Sequence, residues 1–507
     1  MSNTIGQGDR PPYGIISILM IGAFIAFLNN TLLNIALPSI MLELEVGPST
    51  VQWLTTGYML VNGIMIPMTA FLIQKYSVRR LFLIAMLLFS LGTVLAGSAT
   101  MFPVLLAGRM IQASGSAIMM PLLMNVMLVS FPVEKRGTAM GIFGLILMAA
   151  PAIGPTLSGY IVENYNWRML FHFVAPIAIA VLLLGFFLLK DKKEKINLRF
   201  DFISLLLSSF GFGGLLFGFS SAGERGWDSP FVYVPILVGA GSLISFIVRQ
   251  SKLDKPMLNF KVYKYPMFSL ASAISMVVNM AMFSGMLMLP IYVQTIRGIS
   301  PLDAGLMMLP GALVLAIMSP ITGRLFDKFG GRILAITGLA IMVVTTFYFS
   351  QLSMETTYIS LVVLHAVRMF GMSMVMMPVS TNGLNQLPAR FYPHGTAMNN
   401  TLNMLSGAIG TALLITVMTT RQVTHETTLT QEAVAAAGGQ VSEVTLASIQ
   451  MSAMLEGIND AFFVATLIAT VAFLLSFFIK RAKPMEDSED EQEVILPQTK
   501  VVKLAEG

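Results

Sequence analysis

Two ten-residue stretches decide the architecture: Ala70-Phe-Leu-Ile-Gln-Lys-Tyr-Ser-Val-Arg79 and Gly323-Arg-Leu-Phe-Asp-Lys-Phe-Gly-Gly-Arg332. Each follows an apolar run, ends in a cation, and lies 253 residues from the other. Working outward, Arg109-Met110 leading to Met119-Met120-Pro121 recurs as Arg368-Met369 leading to Met376-Met377-Pro378. Gly137-Thr-Ala-Met140 recurs as Gly395-Thr-Ala-Met398, and Ala152-Ile-Gly154 as Ala408-Ile-Gly410. Matches in the same order, at separations between 253 and 259 residues, mark an internal duplication.

The duplicated unit belongs in a membrane. Of the 507 residues 55% are hydrophobic and 11% charged, whereas soluble domains carry about 25% charged residues. Mean hydropathy is +0.76. Lipid is the solvent for most of the chain, which excludes a cytosolic enzyme, a secreted disulfide scaffold and a nucleic-acid-binding domain. The absence of Cys removes disulfides, thiolate metal sites and Cys nucleophiles together. A helix needs about 20 apolar residues to cross the hydrocarbon. Fourteen runs qualify: 13–37, 51–73, 80–99, 102–123, 137–161, 168–189, 201–220, 231–249, 267–293, 304–323, 332–350, 357–378, 397–419 and 460–479. The first is too long for a signal-peptide core.

Charge sets the orientation. With the N-terminus inside, all but six of the 31 Lys and Arg fall in cytoplasmic segments, as the positive-inside rule requires. Arg168, Arg225, Arg297 and Arg421 fall outside, and Arg109 and Arg368 lie within spans. The net charge of +5 reflects this bias. Both termini are expected in the cytoplasm.

Spans and duplication together predict an all-α integral membrane protein. It comprises a cytoplasmic N-terminus (1–12), an N-terminal six-helix half (13–190), an inserted helix pair (200–250), a C-terminal six-helix half (267–480) and a disordered acidic C-terminal tail (484–507). An inserted pair leaves both halves in one orientation. Parallel repeats of this kind build transporters whose substrate site lies between the halves near the midplane. Residues 420–458, rich in Thr, Gln, Ala and Ser, are expected as a polar external loop with a short helix.

The chain resembles the major facilitator superfamily, and within it the fourteen-span drug:proton antiporter family of the EmrB/QacA type, most of all its lincomycin-resistance (LmrB-like) exporters. The likeness rests on Leu33-Asn-Ile-Ala-Leu-Pro38, Trp53-Leu-Thr-Thr-Gly-Tyr58, Arg109-Met-Ile-Gln112, Gly154-Pro155 through Gly159, Trp167-Arg168 and His394-Gly-Thr-Ala-Met-Asn-Asn400. It covers residues 13–480 and implies the superfamily fold, with efflux of amphipathic compounds in exchange for protons. The sequence departs from the family pattern at Gln74 and Asn29, where Asp is usual, and at Ser77, where Gly is usual.

Candidate residues follow from burial. Arg109 enters span 4 by about 10 Å at 1.5 Å per residue, and a buried cation is costly unless paired. Structural pairing and a functional role are both open. Gln112 lies one turn on, Arg368 is the repeat-related cation, and His365 shares its side of the helix. Amides need partners in lipid, so Asn29, Asn30 and Asn34 on one wall and Asn279, Asn399 and Asn403 on the other complete a candidate substrate cavity. In span 5, Pro151 and Pro155 remove backbone hydrogen bonds, while Gly154 and Gly159 permit close helix approach. The resemblance makes these four an antiporter motif; a merely kinked packing helix is the alternative.

Gln74, Lys75 and Arg79 in one copy, with Gly323, Asp327, Lys328 and Arg332 in the other, form a candidate cytoplasmic gate. Arg324, Asp327, Lys328 and Arg332 are expected in a tight cytoplasmic loop between the tenth and eleventh spans, where Asp327 can accept hydrogen bonds from helix N-termini and pair with a basic neighbour in one of two states. An ordinary basic loop is the alternative. With Gln74 in place of an acid, the first-copy latch is expected to be weaker. None of the 26 acids is placed at mid-membrane, so the proton carrier is sought among Asp303, Glu163 and His365. A cavity without a buried carboxylate suits neutral or anionic amphiphiles better than cations.

The expected function is a secondary active transporter that exports amphipathic drugs or toxic compounds across the cytoplasmic membrane, in exchange for protons, by alternating access. An exporter or flippase of a specific lipid, fatty acid or other physiological solute is the rival. An integral-membrane lipid-modifying enzyme is disfavoured, because His172, His365, His394 and His425 are scattered and no metal spacing or nucleophile elbow occurs. No cofactor or metal is expected, the proton gradient serving as energy source. The expected partners are small amphipathic molecules, protons and membrane lipids, with no nucleic acid, and the chain is expected to work as a monomer.

Overall fold

The computed structural model describes residues 13–46, 48–51, 53–190, 201–253, 256–299, 301–437 and 442–482. The expected cytoplasmic N-terminus, most of the basic stretch after 190 and the acidic tail lie outside the described residues.

Among the described residues every regular element is helical, and a helix stands at each of the fourteen expected positions. These are α1 (Tyr13–Glu43), α2 (Trp53–Lys75), α3 (Val78–Gly97), α4 (Phe102–Ser130), α5 (Arg136–Asn164), α6 (Arg168–Leu188), α7 (Phe202–Arg225) and α8 (Pro230–Lys252). Then come α9 (Pro266–Ile291), α10 (Pro301–Phe329), α11 (Gly331–Phe349), α12 (Tyr358–Asn385, interrupted at Met374 and Val375), α13 (Tyr392–Ala437) and α14 (Glu443–Ser476). Among the described residues, eleven helices are long and apolar enough to cross a membrane, twelve if the two arms of α2, bent by 52°, form one span.

Local chemistry places several helix starts. Ser77, where the family pattern has Gly, accepts the Arg80 N–H and caps α3. Asp201 caps α7 by accepting the Ser204 N–H. Pro begins α8 and α9, where its missing N–H leaves no hydrogen bond broken.

The packing repeats as the sequence does. In the first half α1 packs on α5 and α6, α4 on α2 and α3, and α3 on α6. In the second half α9 packs on α13 and α14, α12 on α10 and α11, and α11 on α14. The halves meet through α5 on α10 and through α2 on α13, two contacts related by the same repeat. The inserted pair lies outside this frame: α7 and α8 pack on each other, and α7 covers the seam where α2 meets α13. Trp53 of α2 stacks on Phe217 at 5.6 Å, and the Trp227 indole donates to Thr416 Oγ1 of α13 at 2.6 Å.

Two expectations are corrected. Among the described residues, 420–437 and 443–458 are helical where a loop with a short helix is expected. At 46 residues α13 is about 69 Å long and at 34 residues α14 is about 51 Å, against about 30 Å of hydrocarbon. Both spans therefore continue as helices beyond the bilayer. The hydroxyls of Thr424, Thr427 and Thr428 donate to carbonyls one turn back, so a polar composition that reads as loop is satisfied within a helix. The second correction concerns Asp327 and Arg324, which lie on the last turns of α10 and not in a loop; Gly330 alone, at φ 79°, separates α10 from α11.

Candidate transport site and gate

Arg109 is wholly buried in α4, and its guanidinium is held by neutral groups. It donates to Asn29 Oδ1 at 2.9 Å, Asn30 Oδ1 at 3.3 Å and Gln112 Oε1 at 2.5 Å, and lies 4.3 Å from the Tyr58 ring centroid. Gln112 passes the network on, its amide donating to Thr93 Oγ1 at 2.7 Å. Side chains of four helices thus join one network around one cation. Among the described residues no Asp or Glu is buried. The Arg109 Nε carries no hydrogen-bond partner. The sequence placed Asn29, Asn30, Arg109 and Gln112 together but missed Tyr58 and Thr93. Tyr58 closes the motif at 53–58 and was open to notice; Thr93, an unremarkable hydroxyl in span 3, carried no signal.

The second half repeats the cation with other company. Arg368 is buried in α12, donates to the Ala281 carbonyl of α9 at 3.0 Å and lies 5.9 Å from the Phe349 ring. His365, one turn earlier, is buried against α10, where a Cβ on Gly311 would come within 2.4 Å of its ring. Its Nδ1 has no hydrogen-bond partner. Asn279 donates to Asn403 Oδ1 at 3.0 Å, joining α9 to α13, while Asn399 donates to Ser380 Oγ at 2.8 Å. The Asn34 side chain lies outside the described residues, as do those of Pro151, Pro155 and Glu163. Asp303 is exposed at the start of α10, its carbonyl accepting the Tyr358 hydroxyl at 2.9 Å.

The gate residues divide sharply. Asp327 reaches across to the other half: one carboxylate oxygen accepts the Gly137 N–H at 2.8 Å, the other accepts the Thr138 N–H at 2.8 Å and the Thr138 hydroxyl at 2.6 Å. A carboxylate on a helix N-terminus satisfies orphan donors and the positive end of the helix dipole. The backbones touch beside it. A Cβ on Gly137 would lie 2.4 Å from Asp327 Oδ1 and 2.6 Å from the Gly323 carbonyl, and one on Gly323 would lie 2.3 Å from the Gly137 carbonyl. Arg136 adds a second bridge, donating to Asn385 Oδ1 at 3.2 Å and lying 4.8 Å from the Tyr392 ring. Arg481, after α14, donates to the Asp327 backbone carbonyl at 2.9 Å. Thr138, Arg136, Asn385 and Arg481 were not singled out as gate residues, although Thr138 sits in the repeated Gly-Thr-Ala-Met block and Arg136 just before it.

The other gate candidates stay within their own half. Gln74 donates to the Ala70 carbonyl of its own helix at 2.9 Å. Lys75 lies over Phe71 and Tyr76, Lys328 over Phe329, and Arg79 donates to the Phe186 carbonyl at 3.0 Å. Arg332 is exposed. Gly154 of the span 5 motif meets Thr31 of α1, and Gly159 has nothing within 4 Å.

A duplicated six-helix bundle in the membrane, with a buried cation in each copy and a carboxylate that joins the copies, defines the class of membrane transporters built from parallel repeats. The sequence profile of the Major Facilitator Superfamily matches residues 19–411, and the chain belongs to that superfamily. It is similar to the uncharacterized MFS-type transporter YhcA of Bacillus subtilis (strain 168), at 44% identity over 98% of this chain and 98% of that one. It is also similar to the lincomycin resistance protein LmrB of Listeria innocua, at 42% identity over 95% of this chain and 99% of that protein. Among solved structures, the human organic anion transporter MFSD10 (TETRAN) shares the fold, with a TM-score of 0.63 at 14% identity, covering 92% of this chain and all of that one. The chain is therefore a transporter of the cytoplasmic membrane and not an enzyme.

Proposed function

We propose that this transporter exports amphipathic drugs or other toxic small molecules in exchange for protons, by alternating access, with both termini in the cytoplasm. The observation that carries the reading is the Asp327 latch. It ties α10 of one half to the N-terminus of α5 in the other at the end of the bundle that bears the basic residues, which the positive-inside rule assigns to the cytoplasm. A charge-assisted contact that is made only when that end is closed supplies the bistable element that rocking halves need. Similarity to a lincomycin resistance protein supports a drug as cargo.

The Arg109 cluster favours cargo that is neutral or anionic. Its hydrogen-bond partners are the neutral amides of Asn29, Asn30 and Gln112, and no carboxylate is buried among the described residues to receive a cation. This also keeps export of a lipid or fatty acid as the second reading. The proton-carrier candidates are Asp303 and Glu163 at span ends and His365, which is buried one turn from Arg368. No cofactor is needed beyond the proton gradient, and a single chain suffices.

Purified protein in proteoliposomes tests this reading, with an imposed pH gradient and a panel of cationic, neutral and anionic amphiphiles and a fatty acid. Export of neutral or anionic compounds that collapses with the gradient, and that Arg109→Ala abolishes without lowering expression, is the expected result. Gradient-independent movement, or full transport by Arg109→Ala, overturns it.

A further inference from the structure

Four consecutive residues of α1 face two different machines. Asn29 and Asn30 accept hydrogen bonds from Arg109 of α4. The next two residues are stitched to α5: Thr31 Oγ1 donates to the Ala150 carbonyl at 3.3 Å as well as to Leu28 of its own helix at 2.8 Å, and the Leu32 carbonyl accepts the Ser158 hydroxyl at 2.5 Å. The approach is close enough to demand glycine. A Cβ on Gly154 would lie 2.2 Å from Thr31 Oγ1 and 2.8 Å from the Thr31 Cβ.

The other end of α5 is the end that Asp327 holds. Gly137 and Gly154 are about 25 Å apart along one helix at 1.5 Å per residue, and α5 runs unbroken between them. One helix therefore touches α1 beside Arg109 at one point and the cross-half latch at another. Interhelical hydroxyl bonds in a membrane contribute modestly. That is too little to hold the fold but enough to fix the register of two helices already in contact.

We propose that Thr31 is a positioning residue that transmits the state of the Arg109 cluster to the Asp327 latch. When Arg109 exchanges Asn29 and Asn30 for another partner, such as an anionic group of the cargo, α1 is released on its α4 side. The Thr31–Ala150 and Ser158–Leu32 contacts carry that shift into α5, and Gly137 and Thr138 move against Asp327. The proposal rests on the alternating-access reading and adds the route by which the cavity addresses the gate. A physical warrant for such a route needs a two-state element biased from both sites; the latch is that element.

The chain contains no Cys, so a spin-label pair at Lys135→Cys and Lys328→Cys reports the latch directly, both positions being exposed. The closed fraction is measured in the labelled parent, in Arg109→Ala, in Thr31→Val and in the double variant, each in the same lipid nanodiscs. Arg109→Ala is expected to shift the closed-to-open ratio by about fivefold or more, the scale of an allosteric coupling, when Thr31 is present. In the Thr31→Val background the same change is expected to shift it by less than about twofold. Thr31→Ser should restore the shift, and Ser158→Ala should weaken it, giving a second route if Thr31→Val does not fold. An equal shift in the parent and Thr31→Val backgrounds, or no shift in the parent, overturns the proposal. Failure of the parent to transport any panel compound would instead overturn the exporter reading, because the latch distance is read without transport.

Discussion

At the N-terminus of α5 a carboxylate from the opposite half takes two backbone N–H groups and a hydroxyl. The repeat-related N-terminus of α13 is built differently. The position related to Asp327 is Gln74, which turns back to its own helix, and Thr396 donates to the Pro393 carbonyl one turn behind it. The residues just before each block diverge in the same sense. Arg136 bridges to Asn385 and Tyr392 in the other half, whereas its counterpart His394 accepts the Asn259 N–H of the segment leading into α9. Duplication has preserved the places and discarded one set of charges. The two halves are thus copies in backbone and unequal partners in chemistry, and among the described residues the carboxylate contact between them is made on one side of the seam.

The largest effect is expected from removing the charge that makes the difference. Hydrogen bonds to charged groups contribute about 1.5–3 kcal/mol each, so Asp327→Asn should lower initial export rates in proteoliposomes at least about tenfold. Gln74→Asp should change them by less than about twofold, on the same scale. Equal losses would break the comparison. Next in size is the glycine contact. A Cβ on Gly137 meets backbone and carboxylate, while one on Gly395 meets the movable side-chain ends of Leu387, at 2.5 Å, and Leu384, at 3.0 Å. With Ser319→Cys as a buried reporter on α10, Gly137→Ala should speed thiol labelling about fivefold and Gly395→Ala hardly at all, a population shift of the kind two-state proteins show. A smaller change, about threefold in the closed fraction, is expected for Arg136→Gln, since Gln keeps an amide donor for Asn385 and one hydrogen bond contributes about 0.5–1.5 kcal/mol; His394→Gln should leave the cross-half distance unchanged.

The smallest effect lies in the inserted pair and serves as a control. Burial raises the Asp201 carboxyl, but hydrogen bonds from Arg249 and Ser204 outweigh it and hold the group below the usual carboxylate range. A folded value below the unfolded one means that the stabilisation is present above the unfolded pKa of about 3.9 and is lost as pH falls through the folded value. Thermal stability in detergent should therefore fall on acidification below the unfolded value of about 3.9, and Asp201→Asn should flatten that dependence. The latch distance should not respond to Asp201→Asn, because among the described residues α7 packs on α8, α2 and α13.

How much of this was legible in the sequence depended on whether chain spacing or neighbouring helices carried the information. The duplication pointed to both candidate gates, and Gln74, in place of an acid, marked the copy that has no carboxylate to offer the other half. Arg109 and Gln112 were visible because they sit one turn apart on one helix. Tyr58 and Thr93, which complete that network, come from two other helices whose packing no spacing encodes. Arg136 and Asn385 are separated by 249 residues, and only the meeting of the halves brings them together. Residues 420–458 misled for the opposite reason: a polar, Thr-rich composition says loop, yet the Thr hydroxyls find carbonyls one turn back and the helices run on.

The central claim is that a single carboxylate holds the basic end closed, and the distance across that end in Asp327→Asn tests it most directly. With spin labels at Lys135→Cys and Lys328→Cys, the parent is expected to show mainly the short distance, and Asp327→Asn to move most of that population to a longer one. An unchanged distance distribution in Asp327→Asn would contradict the claim.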